Sequence, residues 1–262
     1  MMIEEVMQKI SEAEIILIGI GEEFEIKKED IINNQRYSGV IDKCENDKQI
    51  IPYIEKSFYE KSNEECILQR KNCYMQLEEL IRDKNYFIVS LCMDGLIHTA
   101  DFNENRIVEP CGSFKMLQCS DKCTSDLYDI DTAFSKQIDE FIDGSIKGED
   151  LICPVCPKCG KPLVFNNILA ENYAEEGYLE KWQLYTKWLQ GTVNRNLCIL
   201  ELGVGMRFPT VIRWPFEKVA YFNQKASFIR VHSKLYQVAE EIKDKSIKIQ
   251  ASPLDFLKEL SN

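Results

Sequence analysis

Closely spaced cysteines in the middle of the chain have the chemistry of a metal site. They are Cys119 and Cys123 in CSDKC, and Cys153, Cys156 and Cys159 in CPVCPKCG. Structural zinc is held by four thiolates in a tetrahedron, which two short loops with paired cysteines supply. Gly160 favours Cys156 and Cys159 as the second pair, because glycine tolerates the positive φ at which backbone N–H groups turn toward sulfur. We predict a structural zinc site at Cys119, Cys123, Cys156 and Cys159, with Cys153 outside it; the alternative is four free surface thiols.

Two glycine-containing turns have the form of nucleotide-binding loops. Gly19 and Gly21 lie in IGIGEEFE, and Gly203 and Gly205 lie in ELGVGMRFP. Glycines at a strand-to-helix turn let the backbone approach a phosphate or a ribose closely. Arg207, just after the second turn, has the chemistry to pair with a phosphate through two parallel hydrogen bonds.

Two glutamates, Glu22 and Glu23, follow the first glycine turn. A helix N-terminus attracts anions, so carboxylates placed there would occupy or repel a phosphate site. One pair of like charges about 4 Å apart costs about 1 kcal/mol in water-like surroundings and several times that in a cleft. The alternative is that both glutamates cap a helix and face solvent.

Short apolar runs separated by helical patterns are the elements that must position these residues. The runs span 14–20, 86–91, 197–202, 227–231 and 246–250, with a further β-type run in RIVEP. Runs that are apolar on both faces are typical of buried parallel strands, and their alternation with helices predicts an α/β doubly wound sheet. Helices are expected in the polar segment 25–84, across 172–191 and at 253–260.

Charge and composition exclude several classes of protein. The net charge is −11, from 32 Lys and Arg against 43 Asp and Glu, and no basic stripe is present, so we expect no nucleic-acid partner. No run of about 18 apolar residues predicts a membrane span, and the acidic N-terminus does not resemble a signal peptide. We therefore expect a cytoplasmic protein, in which the 11 cysteines are thiols or metal ligands.

Four stretches resemble the sirtuin family, in particular its divergent bacterial branch linked to macrodomain proteins. They are NYFIVSLCMDG, PCGSFKMLQCSDKC, CPKCGKPLVFNN and LELGVGMRFPTVIRWPFEKVAYFNQKASFIRV. The resemblance implies a Rossmann-like NAD-binding domain over 1–115 and 169–262, a zinc-ribbon module over 116–168, and a cleft between them. It implies an NAD-dependent transferase of ADP-ribose to a protein. The alternative is an inactive sirtuin-like module that binds a nucleotide or a partner protein.

The resemblance also implies site residues, several of which depart from the family pattern. Cys92 and Asp94 stand at the family's Asn-x-Asp motif, and the weak hydrogen bonding of cysteine argues against nicotinamide cleavage. Cys111 stands at the family's catalytic histidine; it is a candidate nucleophile or a small buried residue. Arg36 is the one candidate for the arginine that closes over NAD. The predicted catalytic residues are Asp94 and Cys111, and the predicted cofactor-binding residues are Gly19, Gly21, Cys92, Asp94, Gly203, Gly205, Met206, Arg207 and His232.

His98 and His232 are the two histidines of the chain. We expect His98 to be a packed or surface residue rather than a base, and His232 to be a strand-end residue that could instead hydrogen-bond adenosine. Without a histidine at position 111, the deacylase mechanism of the family is not expected.

Overall fold

The computed structural model describes residues 2–44 and 48–260. The helices are α1 Met2–Glu12, α2 Lys28–Ile32, α3 Gln35–Ile41, α4 Ile51–Lys61, α5 Glu65–Ile81, α6 Thr132–Ile142, α7 Glu176–Gln190, α8 Arg213–Phe222 and α9 Pro253–Leu260. The strands are β1 Ile15–Ile20, β2 Asn85–Ser90, β3 Ile107–Val108, β4 Gly112–Cys119, β5 Leu163–Asn167, β6 Leu197–Leu202, β7 Ser227–Val231 and β8 Ser246–Ile249.

A six-stranded parallel sheet forms the centre of the fold. Its order is β3-β2-β1-β6-β7-β8, and every pair in it is parallel. All six residues of β1 and of β6 are buried, as expected for central strands covered on both faces. The predicted α/β doubly wound sheet is confirmed. Five of the predicted runs become strands within one residue at either end, and RIVEP contains the two-residue strand β3.

The order of the strands brings three loops to one edge of the sheet. Strands β1, β6 and β7 are neighbours and run in the same direction, so the loops that follow them lie side by side. In open parallel sheets, ligands bind outside the carboxyl ends of the strands, where the strand order reverses. The reversal here is at β1, which is followed by the first glycine turn.

A second, two-stranded sheet carries the cysteine loops. Strands β4 and β5 are antiparallel. The ring of Tyr53 in α4 packs edge-to-face on Phe134 of α6 and at a tilt on Phe165 of β5, with ring centroids 5.0 and 4.7 Å apart. Helix α6, which sequence analysis did not predict, therefore joins the segment between the cysteine pairs to the helices of the 25–84 segment. Across the described residues, no helix combines the length and apolar character needed to cross a bilayer.

A buried ion pair links β6 to β7 beneath the converging loops. Arg230 is 1% exposed and donates to both carboxylate oxygens of Glu201, at 2.7 and 3.0 Å. It also donates to Glu217 of α8 at 2.7 Å. Because Glu201 is itself fully buried, removal of Arg230 would leave its negative charge in the core without its hydrogen-bonded cation, and Arg213, 3.7 Å away, would offset that charge only in part.

We expect Arg230→Met to lower the free energy of unfolding by about 3–5 kcal/mol, measured by urea denaturation. Arg195→Met is the matched control, because Arg195 pairs with Glu14 at the surface, where both side chains are about half exposed. Its expected cost is about 0–1 kcal/mol. Equal losses for the two variants would contradict the buried-pair interpretation.

Candidate functional site

The first and second glycine turns pack directly on each other. The N–H of Gly21 donates to the carbonyl of Leu202 at 2.9 Å, and the N–H of Glu23 donates to Gly203 at 3.1 Å. A Cβ atom at position 21 would lie 2.3 Å from the Cα atom of Val204, so only glycine fits there. Gly21 therefore allows the first turn to approach the second. Its contact with a nucleotide stays a prediction.

The carboxylate of Glu22 occupies backbone donors of the second turn. It accepts the N–H of Gly205 at 2.6 Å and the N–H of Arg207 at 3.1 Å. These converging N–H groups are the kind that hold a phosphate at a glycine-rich turn. Of the two arrangements considered from sequence, the solvent-facing one is wrong for Glu22, because its side chain faces the turn and supplies the anion itself.

Glu23 makes the equivalent contact with the loop after β7. It accepts the N–H of Ser233 at 3.1 Å and also the Ser233 hydroxyl. Nδ1 of His232 lies 3.3 Å from the Glu23 carboxylate, but it accepts the N–H groups of Lys234 and Leu235, each at 3.1 Å. A ring nitrogen that accepts hydrogen bonds carries no proton, and burial lowers the pKa of His232. The imidazole is therefore neutral, and its contact with Glu23 is not an ion pair.

Arg207 pairs with Glu25 at the protein surface. Its guanidinium donates to both oxygens of that carboxylate, with Nη1 to Oε2 at 3.0 Å. Arg70 fixes the acidic loop from α5, since it donates to the carbonyl oxygen of Glu25 at 2.8 Å and to that of Cys66 at 2.8 Å. Arg207, which was expected to pair with a phosphate, therefore pairs with a carboxylate of the same chain. Met206 beside it is half exposed.

Asp94 lies at the turn that follows β2. Its Oδ1 accepts the N–H of Leu96 at 2.9 Å. Its Oδ2 is buried and has no hydrogen-bond partner among the described residues. Burial raises the pKa of Asp94 to about 7. The residue lines a cavity of about 430 Å³ together with Tyr59, His98 and Phe114. Asp94 is therefore a carboxyl group with one oxygen available to a ligand and a pKa suited to proton exchange near neutrality.

The two cysteines of the predicted site are packed rather than exposed. The Cys92 thiol lies 3.5 Å from the carbonyl oxygen of Gly21 and joins the end of β2 to the first turn. Cys111 is 3% exposed, and burial raises the pKa of its thiol to about 12. A protonated thiol is a poor nucleophile, so these properties favour the packing role considered for Cys111. Arg36 pairs with Asp143 near the end of α6, at 2.7 Å.

His98 is held between two carboxylates that sequence analysis did not identify. Nδ1 lies 2.7 Å from Glu104, and Nε2 lies 2.9 Å from Glu109. Burial alone would lower the pKa of His98, but its hydrogen bonds to Glu109 and Glu104 raise it to about 9. The imidazole is therefore a cation at neutral pH. No short sequence motif identifies the cluster, because His98 and Glu104 lie in two different 3₁₀ turns and Glu109 lies beyond the second.

The structure brings the four predicted cysteine ligands together. The sulfur atoms of Cys119, Cys123, Cys156 and Cys159 all lie within 4.8 Å of one another, with Cys119 and Cys159 3.5 Å apart. A zinc–sulfur bond of about 2.3 Å requires sulfurs about 3.8 Å apart in a tetrahedron, so the four thiols fit zinc. Gly160 has φ +72°, as predicted for the turn after Cys159. Cys153 lies outside the group, and the identity of the metal stays a prediction.

We expect Cys156→Ser to remove about one equivalent of zinc and to lower the Tm by more than about 10 °C, because metal binding contributes directly to folding of such modules. Zinc content would be measured by atomic absorption and Tm by circular dichroism. Cys153→Ser is the control, and it should retain the metal. Full zinc content in Cys156→Ser would contradict the assignment of ligands.

Sequence comparison relates the chain to ADP-ribosyltransferases. It is 25% identical over 182 residues to a protein ADP-ribosyltransferase of Staphylococcus aureus, which covers 67% of this chain and 56% of that protein. It is 28% identical over 141 residues to a probable bifunctional ADP-ribose hydrolase/ADP-ribosyltransferase of Fusarium oxysporum, which covers 50% of this chain and 23% of that protein. The chain thus spans about half the length of the first of these relatives. No family profile matches the chain.

Solved Sir2 structures superpose on almost the whole chain. One, from a study of the mechanism and regulation of Sir2 enzymes, has a TM-score of 0.54 and 17% identity, with 99% of this chain and 95% of that chain covered. Another, a Sir2 protein with a p53 peptide and NAD⁺, has a TM-score of 0.55 and 13% identity, with 99% and 97% covered. The chain therefore has the fold of the Sir2 sirtuins, and its sequence is similar to those of protein ADP-ribosyltransferases.

Proposed function

We propose that this chain is a sirtuin-type protein ADP-ribosyltransferase that consumes NAD. The observation that carries the proposal is Asp94, whose buried Oδ2 has no partner within the described protein and lies at the carboxyl end of a central strand. The similarity to ADP-ribosyltransferases and the Sir2 fold support the same reaction.

In this reaction the bond between nicotinamide and the ribose C1′ breaks, and nicotinamide leaves with the electron pair. Positive charge develops on the ribose, as in other glycosidic cleavages. An ionised Asp94 would stabilise that charge from its position beside the turn after β2. A nucleophile of the acceptor then bonds to C1′ and loses its proton. We propose a protein acceptor, since Sir2 relatives have been solved with peptides bound.

The proposed mode of NAD binding requires a local rearrangement. A pyrophosphate that approaches the second glycine turn must replace the Glu22 carboxylate on the N–H groups of Gly205 and Arg207. Arg207 would exchange Glu25 for a phosphate oxygen. In this proposal, ligand affinity is the difference between the new contacts and the internal ones that are lost.

A second candidate is a sirtuin-like module that binds a nucleotide or a partner protein without catalysis. It is favoured by the internal carboxylates that satisfy Gly205, Arg207 and Ser233. The protonated Cys111 thiol at the position of the family's histidine favours it as well.

The test is calorimetric titration of the zinc-loaded protein with NAD, followed by an assay of free nicotinamide and of label transferred from NAD to proteins. Release of nicotinamide with labelled protein supports the transferase. Micromolar binding without release supports the second candidate. No binding at millimolar NAD would overturn the transferase and leave a protein partner as the remaining ligand of the second candidate.

A further inference from the structure

His98, Glu104 and Glu109 form a hydrogen-bonded cluster in which the histidine lies between the two carboxylates. The two carboxylates contact opposite edges of one imidazole, at 2.7 and 2.9 Å, so both ring nitrogens are donors. Carboxylates on opposite edges cannot share a metal ion with that ring, and among the described residues the metal-like grouping of ligands is the cysteine cluster. The arrangement therefore fixes the charge and the orientation of the His98 ring and does not form a metal site.

Glu109 has one carboxylate oxygen that the protein leaves unsatisfied. Its Oε2 meets His98, whereas its Oε1 is buried and has no hydrogen-bond partner among the described residues. The side chain as a whole is 15% exposed. A buried acceptor without a donor costs about 1–3 kcal/mol, which native proteins seldom accept without a role for the group. Such an oxygen is available to a proton that a ligand brings.

Glu109 lines a cavity that shares wall residues with the cavity of Asp94. Glu109 lines a cavity of about 200 Å³ with Gly112, Ser113 and Tyr178. His98 lines both that cavity and the 430 Å³ cavity that contains Asp94, so it forms part of the wall between them. Burial is the main cause of the raised pKa of Asp94, and the negative charge of Glu109 adds to it.

We propose that Glu109 is the proton acceptor for the nucleophile that attacks the ribose, and that His98 orients it; this inference rests on the proposed transferase function. The lone pair of the acceptor's hydroxyl or amine forms the bond to C1′, and its proton passes to Glu109 Oε1. The electron pair of the broken C1′–N bond leaves with nicotinamide. The proton on Glu109 then returns to solvent, so the reaction converts NAD and the acceptor into ADP-ribosylated acceptor, nicotinamide and a proton.

A purely structural salt bridge would explain the contact with His98 but not the unsatisfied oxygen, and substitution separates the two roles. Glu109→Gln keeps the shape of the side chain and removes the proton acceptor. Glu104→Gln is the matched control, because it removes the same charge from the same histidine at a side chain that is 58% exposed.

The experiment measures transfer of labelled ADP-ribose to protein, with ADP-ribose affinity and Tm as companion readouts. We expect Glu109→Gln to lower kcat/KM for transfer at least about 100-fold with affinity unchanged. Glu104→Gln should stay within about threefold of the wild type. In Glu109→Ala, added formate should restore part of the lost transfer, since it replaces the missing carboxylate; a structural defect would not respond in this way.

The outcomes separate this inference from the function on which it rests. The role of Glu109 would be overturned if Glu109→Gln transferred ADP-ribose at the wild-type rate, or if Glu104→Gln lost as much activity as Glu109→Gln. Either result would leave the transferase function intact. If Glu109→Gln is poorly folded, the test is whether formate restores transfer in Glu109→Ala. An absence of rescue would contradict the role of Glu109 as proton acceptor. A wild-type protein that releases no nicotinamide would overturn the transferase and this role together.

Discussion

Asp94→Asn is expected to lower nicotinamide release at least about 100-fold and, at the same time, to raise the Tm above neutral pH. Asparagine keeps the oxygen that accepts the Leu96 N–H but carries no charge to stabilise a cationic ribose. The gain in stability follows from burial, which raises the pKa of Asp94 from 3.8 to about 7. The two effects have opposite signs because the same buried carboxyl group serves the reaction and costs stability.

The sign of the pH dependence follows from linkage. The folded protein favours protonated Asp94, so the stability that this proton provides is complete below the unfolded pKa near 3.8 and is lost as pH rises through about 7. The Tm difference between Asp94→Asn and the wild type should therefore be small near pH 4 and largest near pH 8. Asp101→Asn, at an exposed site nearby, is the control with no expected effect. Nicotinamide release that survives Asp94→Asn would show that the site lies elsewhere.

Glu22→Ala is expected to tighten ADP-ribose binding about tenfold, or about 1.4 kcal/mol. The substitution frees the N–H groups of Gly205 and Arg207 and removes a negative charge from the place where a phosphate would lie. The repulsion relieved is about 1–4 kcal/mol at 4 Å, depending on the local dielectric, and part of it is offset because the loop loses an internal contact.

Calorimetric titration with ADP-ribose at low ionic strength measures this gain. Glu29→Ala removes an equal charge from an exposed position on α2 and should leave the affinity within about twofold. Arg207→Ala in the Glu22→Ala background should cancel the gain if the arginine turns to the phosphate. Affinity that does not change in Glu22→Ala would show that these N–H groups are not the phosphate site.

The parts of this protein that sequence predicts are those set by local pattern. Strands β1 and β6 are recognised because a strand covered on both faces is apolar along almost its whole length, with Glu201 as the exception in β6. The cysteine group is recognised because short loops and Gly160 restrict which thiols can converge. In each case the physical constraint acts over a few residues and leaves a trace in the sequence.

The parts that sequence does not predict depend on distant contacts. Glu22 meets Gly205 across 183 positions, so neither residue alone indicates that the loop supplies its own anion. Oδ2 of Asp94 and Oε1 of Glu109 meet no donor in the described part of the chain, and no residue type encodes the lack of a donor. Helix α6 was not predicted, and the partner of its Phe134, Tyr53 of α4, lies 81 positions earlier in the chain.

The central place of β1 has a consequence for synthesis of the chain. Ile15 of β1 pairs in register with Leu197 of β6, and its other neighbour, β2, begins at Asn85. At about 5–20 residues per second, the ribosome needs roughly 10 to 40 s after β1 is made before β6 exists. During that interval one edge of a wholly apolar strand has no partner, which makes the nascent chain prone to aggregation. Translation arrested before residue 197 should therefore yield a protease-sensitive N-terminal segment, and resistance to protease at that length would show that another element covers the edge first.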